Sequence, residues 1–238
     1  MTALTRKQKT LIALGSLIGV VAIIATTALV TAALLTSSAA VSNVFTVGEV
    51  GITMTESKVD ADGKKLTGAD AAQVDTNTYC LVPNKTYDKD PVITVKDGSQ
   101  ESFLFVLVRN DIAAIEDTSD STNKPTIAQQ LAANGWAKYT LASTGWVYVW
   151  VGVGNVPDGD VEKASGEFTA TAVTVTPDTY KLFETFSIAE NADTTKYGAA
   201  KVTLTAVAIQ DSGFENNVDA AWEAVKEAYP YIHTGSGS

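Results

Sequence analysis

Hydrophobic and polar residues alternate over many short stretches of this chain, as they do in β-strands. In residues 201–210 one phase holds Val202, Leu204, Ala206 and Ala208 and the other holds Thr203, Thr205, Val207 and Ile209. Residues 91–96 alternate as well, and residues 103–108 are apolar throughout. Alternation with a period of two predicts strands with one buried face, and an uninterrupted apolar run predicts a strand that is covered on both faces. Asp97-Gly98, between two of these stretches, predicts a hairpin turn.

Further strands are predicted at residues 43–56, 79–82, 137–141, 146–153, 167–176 and 181–188. Helical periodicity is limited to residues 127–133 and to a stripe near the end of the chain, formed by Val218, Ala221, Trp222, Val225 and Tyr229. Short strands separated by turn residues, with two small helices, predict an all-β fold. The expected architecture is an antiparallel jelly-roll β-sandwich with short peripheral helices, preceded by an N-terminal signal helix.

The N-terminal segment has a composition of its own. Arg6, Lys7 and Lys9 precede a long run without charged residues, and residues 11–35 are mostly Leu, Ile, Val and Ala. A basic segment followed by an apolar one predicts a secretory signal peptide at residues 1–33. Because about 20 apolar residues also suffice to cross a bilayer, an uncleaved membrane anchor is the alternative.

Signal peptidase is expected to cut after Ala33, so that Leu34 becomes the first residue of the mature protein. Thr31 and Ala33 place small side chains at the two recognition positions behind the apolar run. Ala39-Ala40 offers the fallback site. Sequencing the N-terminus of the secreted protein checks this prediction, and an intact N-terminus on mature surface material would contradict it and favour the anchor.

Net charge and the scarcity of reactive side chains argue against several classes of function. The 238 residues contain 17 basic and 27 acidic side chains, for a net charge of −10, which argues against nucleic-acid binding. Cys80 and His233 are the single Cys and the single His. An intrachain disulfide and a zinc site with two His or paired Cys are therefore excluded. We expect neither an enzyme nor a resident cofactor.

Acidic loops are the remaining candidates for metal binding. Asp158, Asp160 and Glu162 alternate in a Gly-containing loop, and Asp60 and Asp62 lie close together in another. Calcium prefers several oxygen ligands, so the loop with Asp158, Asp160 and Glu162 is the calcium candidate. Neither loop has EF-hand spacing, and a solvated acidic loop is the alternative interpretation.

Two apolar features are expected to be buried rather than to form a reactive site. Trp146, Tyr148 and Trp150 fall on one face of a predicted strand. Burial of this face is the expectation, with a subunit interface or a sugar-binding platform as alternatives. Cys80 lies in the apolar segment 79–82 and is expected to be a buried, inert thiol.

Four stretches of the exported part follow one another in an order that carries a family resemblance. They are residues 31–36 with 43–50, residues 82–99, residues 182–188 and residues 201–214. Together they resemble the TasA/camelysin family of secreted biofilm-matrix fibre proteins, whose export depends on a signal peptidase of the SipW type. Leu34 and residues 37–39 depart from the aromatic residue and acidic cluster that the family often has after the cleavage site.

The resemblance implies a jelly-roll domain and assembly into extracellular fibres or pili. It also implies secretion to the matrix or cell surface of a Gram-positive-type bacterium. On this interpretation residues 34–47 form an N-terminal arm, residues 48–232 the jelly-roll domain and residues 233–238 a flexible tail.

The uncharged arm is predicted to leave its own domain and to add as a strand to the next subunit, which gives a homopolymer. Val41, Phe45 and Val47 share one phase and are the expected anchors, and Gly48 is the expected joint. A first strand that pairs within its own sandwich, or a disordered tail, is the alternative. A camelysin-like surface protease and a monomeric glycan-binding surface module are the competing functions.

Overall fold

A computed structural model of the chain describes residues 45–47 as backbone, and residues 50–157, 174–214 and 217–229 with their side chains. All of these residues belong to one unit, Ser42–Ser238. The strands are β1 Phe45–Val47, β2 Ile52–Ser57, β3 Gln73–Val74, β4 Thr86–Asp88, β5 Val92–Val95, β6 Ser102–Asn110, β7 Trp136–Ala142, β8 Gly145–Trp150, β9 Thr179–Lys181, β10 Thr185–Ser187 and β11 Val202–Gln210. The helices of the described part are α1 Ile127–Ala133 and α2 Val218–Ala228, with short 3₁₀ turns at Gly68–Asp70, Ala113–Ile115 and Thr194–Tyr197.

The strands form three sheets. A five-stranded sheet has the order β1-β11-β6-β8-β7, a four-stranded sheet has the order β3-β2-β5-β9, and β10 pairs with β4. Every described strand pair is antiparallel except β1 with β11. The prediction of an all-β, mainly antiparallel fold with short helices is therefore confirmed at this level.

Strands β6 and β11 form the centre of the five-stranded sheet. They pair along their full lengths, from Val202 opposite Asn110 to Gln210 opposite Ser102. Residues 102–108 of β6 are all buried. The predicted strand with two covered faces is thus confirmed, because a strand that is apolar on both sides needs a layer of protein on each of them.

One face of this sheet is covered by helix α2. The buried residues of this core are Phe103, Phe105, Leu107, Ala137, Tyr139, Ala142, Val147, Val149, Val151, Val207, Ile209, Ala221, Trp222 and Val225. The side chain of Asn217 caps the helix by accepting hydrogen bonds from the amides of Asp219 and Ala220. The predicted apolar stripe is confirmed, because Ala221, Trp222 and Val225 are buried and Val218 and Tyr229 pack against the same core.

The opposite face of β8 carries the three aromatic residues singled out above. The Trp150 ring lies 5.0 Å from that of Tyr180 in the four-stranded sheet and 5.4 Å from that of Trp136. Tyr148 is buried, whereas Trp146 and Trp150 are half-buried. Burial is therefore confirmed for Tyr148 and holds in part for the two tryptophans.

The expected hairpin at Asp97-Gly98 is wrong. A turn does form there, with Gly98 at φ +82° and the Ser99 amide donating to the Lys96 carbonyl. However, β5 pairs with β2 and β9, whereas β6 pairs with β11 and β8. A turn fixes only the local reversal of the chain, and the apolar run 103–108 of β6 is more stable in the centre of the other sheet.

The predicted strand at residues 79–82 is also wrong, and Cys80 is exposed rather than buried. The Tyr87 hydroxyl donates to the Cys80 carbonyl at 2.6 Å and accepts from the Val82 amide at 2.7 Å. A side chain therefore satisfies backbone groups that a neighbouring strand would otherwise bind. The Tyr87 ring takes the interior position, and the Cys80 side chain faces solvent.

Other predicted elements are shorter or lie outside the described residues. The long segment 43–56 splits into β1 and β2, which belong to different sheets. Segment 181–188 contains the end of β9 and then β10. Of the predicted strand 167–176, residues 167–173 lie outside the described part, and Val175 bridges to Ser102. The predicted helix at residues 127–133 is confirmed as α1, with a capping box between Thr126 and Gln129.

Candidate subunit interface

The outer side of β11 is the edge at which the first described strand joins the sheet. Strand β1 pairs with it in parallel at three positions, with Phe45 opposite Val207, Thr46 opposite Ala208 and Val47 opposite Ile209. Strand β11 begins at Val202 and pairs along its other side over all nine residues. Among the described residues, no strand lies beside the outer edge of residues 202–206.

The paired end of β11 is its most buried part. Val207 and Ala208 are 0% exposed and Ile209 is 2% exposed, whereas Thr203 and Thr205 are half-exposed. Val207 and Ile209 belong to the core under helix α2. A strand that is added at this end therefore meets an apolar, preformed surface, and further along β11 it meets a more polar one.

Helix α2 is fixed in place behind this edge. The Trp222 ring lies 5.2 Å from the Phe105 ring and 5.9 Å from the Tyr139 ring. The Tyr139 hydroxyl donates a short hydrogen bond to the Asp219 carboxylate in the first turn of the helix. Burial and this bond raise the pKa of Tyr139 well above its usual value, so the donor keeps its proton. The helix is thereby joined to β7 by packing and by a charged hydrogen bond.

The opposite edge of the same sheet has features that oppose strand addition. The register between β7 and β8 shifts between Lys138 and Thr140. The Lys138 ammonium group lies 4.0 Å from the centre of the Trp146 ring. Bulges and lysines are common protections of exposed sheet edges. Strand β11 has a continuous register with β6, and so it lacks the register shift that β7 has at the opposite edge.

The structure describes only part of the predicted site. Phe45 and Val47 are present as backbone in β1, at register positions beside Val207 and Ile209. Val41, Gly48 and the cleavage-site residues Ala33 and Leu34 lie outside the described residues. The pairing of β1 within its own chain corresponds to the local alternative, and its parallel direction was not predicted.

The calcium candidates Asp158, Asp160 and Glu162 also lie outside the described residues. In the other acidic loop, Asp60 accepts hydrogen bonds from the amides of Asp62 and Lys64, and Asp62 pairs with Lys85 at 3.1 Å. These two carboxylates have partners within the protein. In the part of the chain that the structure describes, no three His, Cys, Asp or Glu side chains are grouped as they are in a metal site.

None of the helices in the described ranges is long and apolar enough to span a bilayer. Comparisons of the chain with models of known protein families, with curated proteins and with solved structures find no match. The likeness to the TasA/camelysin family therefore rests on the four sequence stretches alone.

Proposed function

We propose that this protein is a secreted structural subunit that polymerises into extracellular fibres or pili by donating its N-terminal strand to the next subunit. The observation that carries the proposal is the outer edge of β11. This regular nine-residue strand has a described neighbour on its outer side only at residues 207–209. The outer edge of a strand presents backbone groups that a donated strand can bind.

The observed register predicts how far a donated strand can extend. If the parallel pairing of Phe45 with Val207 continues towards the N-terminus, Ala40 comes to lie beside Val202. Residues 40–47 of the arm then cover β11 from Val202 to Ile209. Val41 and Asn43 lie beside the half-exposed Thr203 and Thr205, so the polar Asn43 is acceptable there.

The intrachain pairing of β1 is compatible with exchange between subunits. Among the described residues, three register pairs join β1 to the sheet, and the next described strand, β2, lies in a different sheet. Exchange replaces these pairs with the same pairs from another copy, so its net cost is small. The arm leaves through Gly48, where a glycine permits a sharp change of direction. Head-to-tail exchange does not close on itself, and so it yields a filament.

The proposal includes the finer points of the family resemblance. The antiparallel sheets form a jelly-roll sandwich, the signal peptide at residues 1–33 directs export, and signal peptidase releases the arm by cutting before Leu34. The mature subunit acts in the matrix or on the surface of a Gram-positive-type bacterium, and nucleic acid is not proposed as a partner. Its membrane contact is limited to the signal segment before cleavage, and its main partner is a second copy of itself. No enzymatic activity is assigned to it.

Electron microscopy of the purified secreted protein over a range of concentrations tests this function. Filaments are expected above a threshold concentration, with sedimentation of the same samples measuring the polymer fraction. A protein that stays monomeric at every concentration would contradict the proposal. Chelator-sensitive casein degradation by that monomer would favour a protease, and binding on a glycan array would favour a glycan-binding module.

A further inference from the structure

A lysine and a glutamate form a buried ion pair between two of the sheets. Glu56 lies near the end of β2 in the four-stranded sheet, and Lys89 directly follows β4 in the two-stranded sheet. The Lys89 ammonium nitrogen Nζ is 2.6 Å from Oε2 of Glu56. Their side chains are only 10% and 4% exposed, respectively. The two groups are therefore held in contact and almost without water.

The other oxygen of Glu56 has no hydrogen-bond donor in the part of the chain that the structure describes. Oε1 is buried, and no polar atom among the described residues reaches it. A buried carboxylate normally needs several hydrogen bonds to offset the loss of hydration. An unsatisfied acceptor adds a further cost. As an ion pair, this contact is therefore incompletely stabilised.

Aromatic rings shield the pair from solvent. The Tyr79 ring centre lies 5.9 Å from the Lys89 ammonium group and packs edge-on against Tyr87 and Phe186. Burial, followed by the nearby charges of Glu56, Asp90 and Asp88, raises the pKa of Tyr79 far above its usual value. Tyr79 consequently stays neutral and supplies an apolar cover.

We propose that Lys89 and Glu56 condense to form an intramolecular isopeptide bond. The unprotonated amine of Lys89 attacks Cδ of Glu56, a C–N bond forms and one C–O bond breaks. The departing oxygen leaves as water with two protons from the former ammonium group. Ammonium and carboxylate thus give one amide and one water molecule, without any oxidant or other co-reactant.

Burial and fixed contact both favour this reaction. The pair is almost without water, and in its charged form it leaves Oε1 of Glu56 unsatisfied among the described residues. Because the two groups are already in contact, the entropy cost of bringing them together has been met by folding. The product replaces two buried charges with one neutral amide and releases a water molecule. The bond would join β2 to the segment after β4, across 33 residues of chain.

A neighbouring ion pair provides a built-in control. Lys65 and Asp90 are also 2.6 Å apart, but their side chains are 51% and 22% exposed. Burial opposes ionisation of Asp90, yet the bonds from Lys65 and Ser57 outweigh it and lower the pKa of this carboxyl. Water and the Ser57 hydrogen bonds stabilise this charged pair, so no condensation is expected there.

Intact-mass spectrometry of the mature secreted protein under denaturing conditions, compared with the mass calculated from its own N-terminus, tests the proposal. The expected mass is lower than the sequence mass by one water molecule, and tandem spectrometry of a digest is expected to find one cross-linked peptide that joins Lys89 to Glu56. Lys89→Arg keeps the positive charge but cannot form this amide, and is expected to restore the full mass. The control Lys65→Arg is expected to retain the loss. A wild-type protein with uncrosslinked Lys89 and Glu56 peptides, or a water loss located at another pair, would overturn the proposal.

Discussion

Deletion of residues 34–46, or the single change Phe45→Asp, is expected to abolish filament formation while leaving a folded monomer. The deletion removes the segment proposed to cover β11. The substitution places a carboxylate at the register position beside Val207, which is fully buried under helix α2. Burial of an unpaired charge costs several kcal/mol, which is comparable with the whole gain from adding a short strand. Sedimentation and electron microscopy above the wild-type threshold concentration measure the effect.

Val153→Asp is the matched control for Phe45→Asp. Val153 is 70% exposed, so the same type of change there introduces a charge that remains hydrated. Filaments of normal yield are expected from this control. Circular dichroism measures whether each variant is folded. Folding is expected to survive in both, because β1 contributes three register pairs among the described residues. If the deletion protein polymerises at the wild-type rate, donation by this arm is wrong.

Local signals predicted the elements that depend on local chemistry. Helix α1 ends at Ala133, as its periodicity predicted, and Gly135 shortly after it adopts a left-handed φ of +89° that suits a helix end. Helix α2 was predictable from its apolar stripe. Strands β6 and β11 were predictable from their length and composition. In each case the determining residues lie within the element itself.

Features that depend on distant partners could not be predicted in this way. The turn at Asp97-Gly98 forms, but the sheet that each flanking strand joins is decided by contacts far along the chain. The exposure of Cys80 depends on the Tyr87 hydroxyl, which takes the hydrogen bonds that would otherwise favour a strand. Alternation indicates which residues share a face, but it does not identify the layer that covers that face.

The candidate interface also combines features that local sequence predicted with features that depend on distant partners. The uncharged arm and its phase were evident in the sequence, and they identified Phe45 and Val47 as positions of interest. The parallel pairing with β11 was not evident, because β1 is short and its partner lies more than 150 residues away, at Val207 to Ile209. The Glu56–Lys89 pair was missed as well, since the two residues lie 33 positions apart and their contact depends on the packing of two sheets.

Replacement of Trp222 by Ala is expected to have the largest effect on stability among single changes in helix α2. Trp222 is 3% exposed and contacts the rings of Phe105 and Tyr139 in the core of the five-stranded sheet. Truncation of a buried tryptophan to alanine typically costs about 3–5 kcal/mol, because apolar burial is lost and a cavity remains. The free energy of unfolding, measured by denaturant titration, is expected to fall by about this amount.

Glu223→Ala provides the control on the same helix. Glu223 forms an exposed ion pair with Lys226, and its side chain is 65% exposed. Exposed pairs of this kind contribute about 0–1 kcal/mol, so the stability of this variant is expected to remain close to that of the wild type. A Trp222→Ala protein that unfolds no earlier than Glu223→Ala would contradict the assignment of α2 as the cover of this core.

Comparison of Trp222→Ala with Phe45→Asp separates an effect on folding from an effect on assembly. Val207 and Ile209 belong to the core that Trp222 fills, so loss of the indole is expected to loosen the surface that receives the donated strand. Trp222→Ala should therefore lower both the stability of the monomer and the yield of filaments. Phe45→Asp should lower the filament yield while the acceptor core stays intact. If Trp222→Ala destabilises the monomer but assembles at the wild-type concentration threshold, the edge of β11 is not the acceptor.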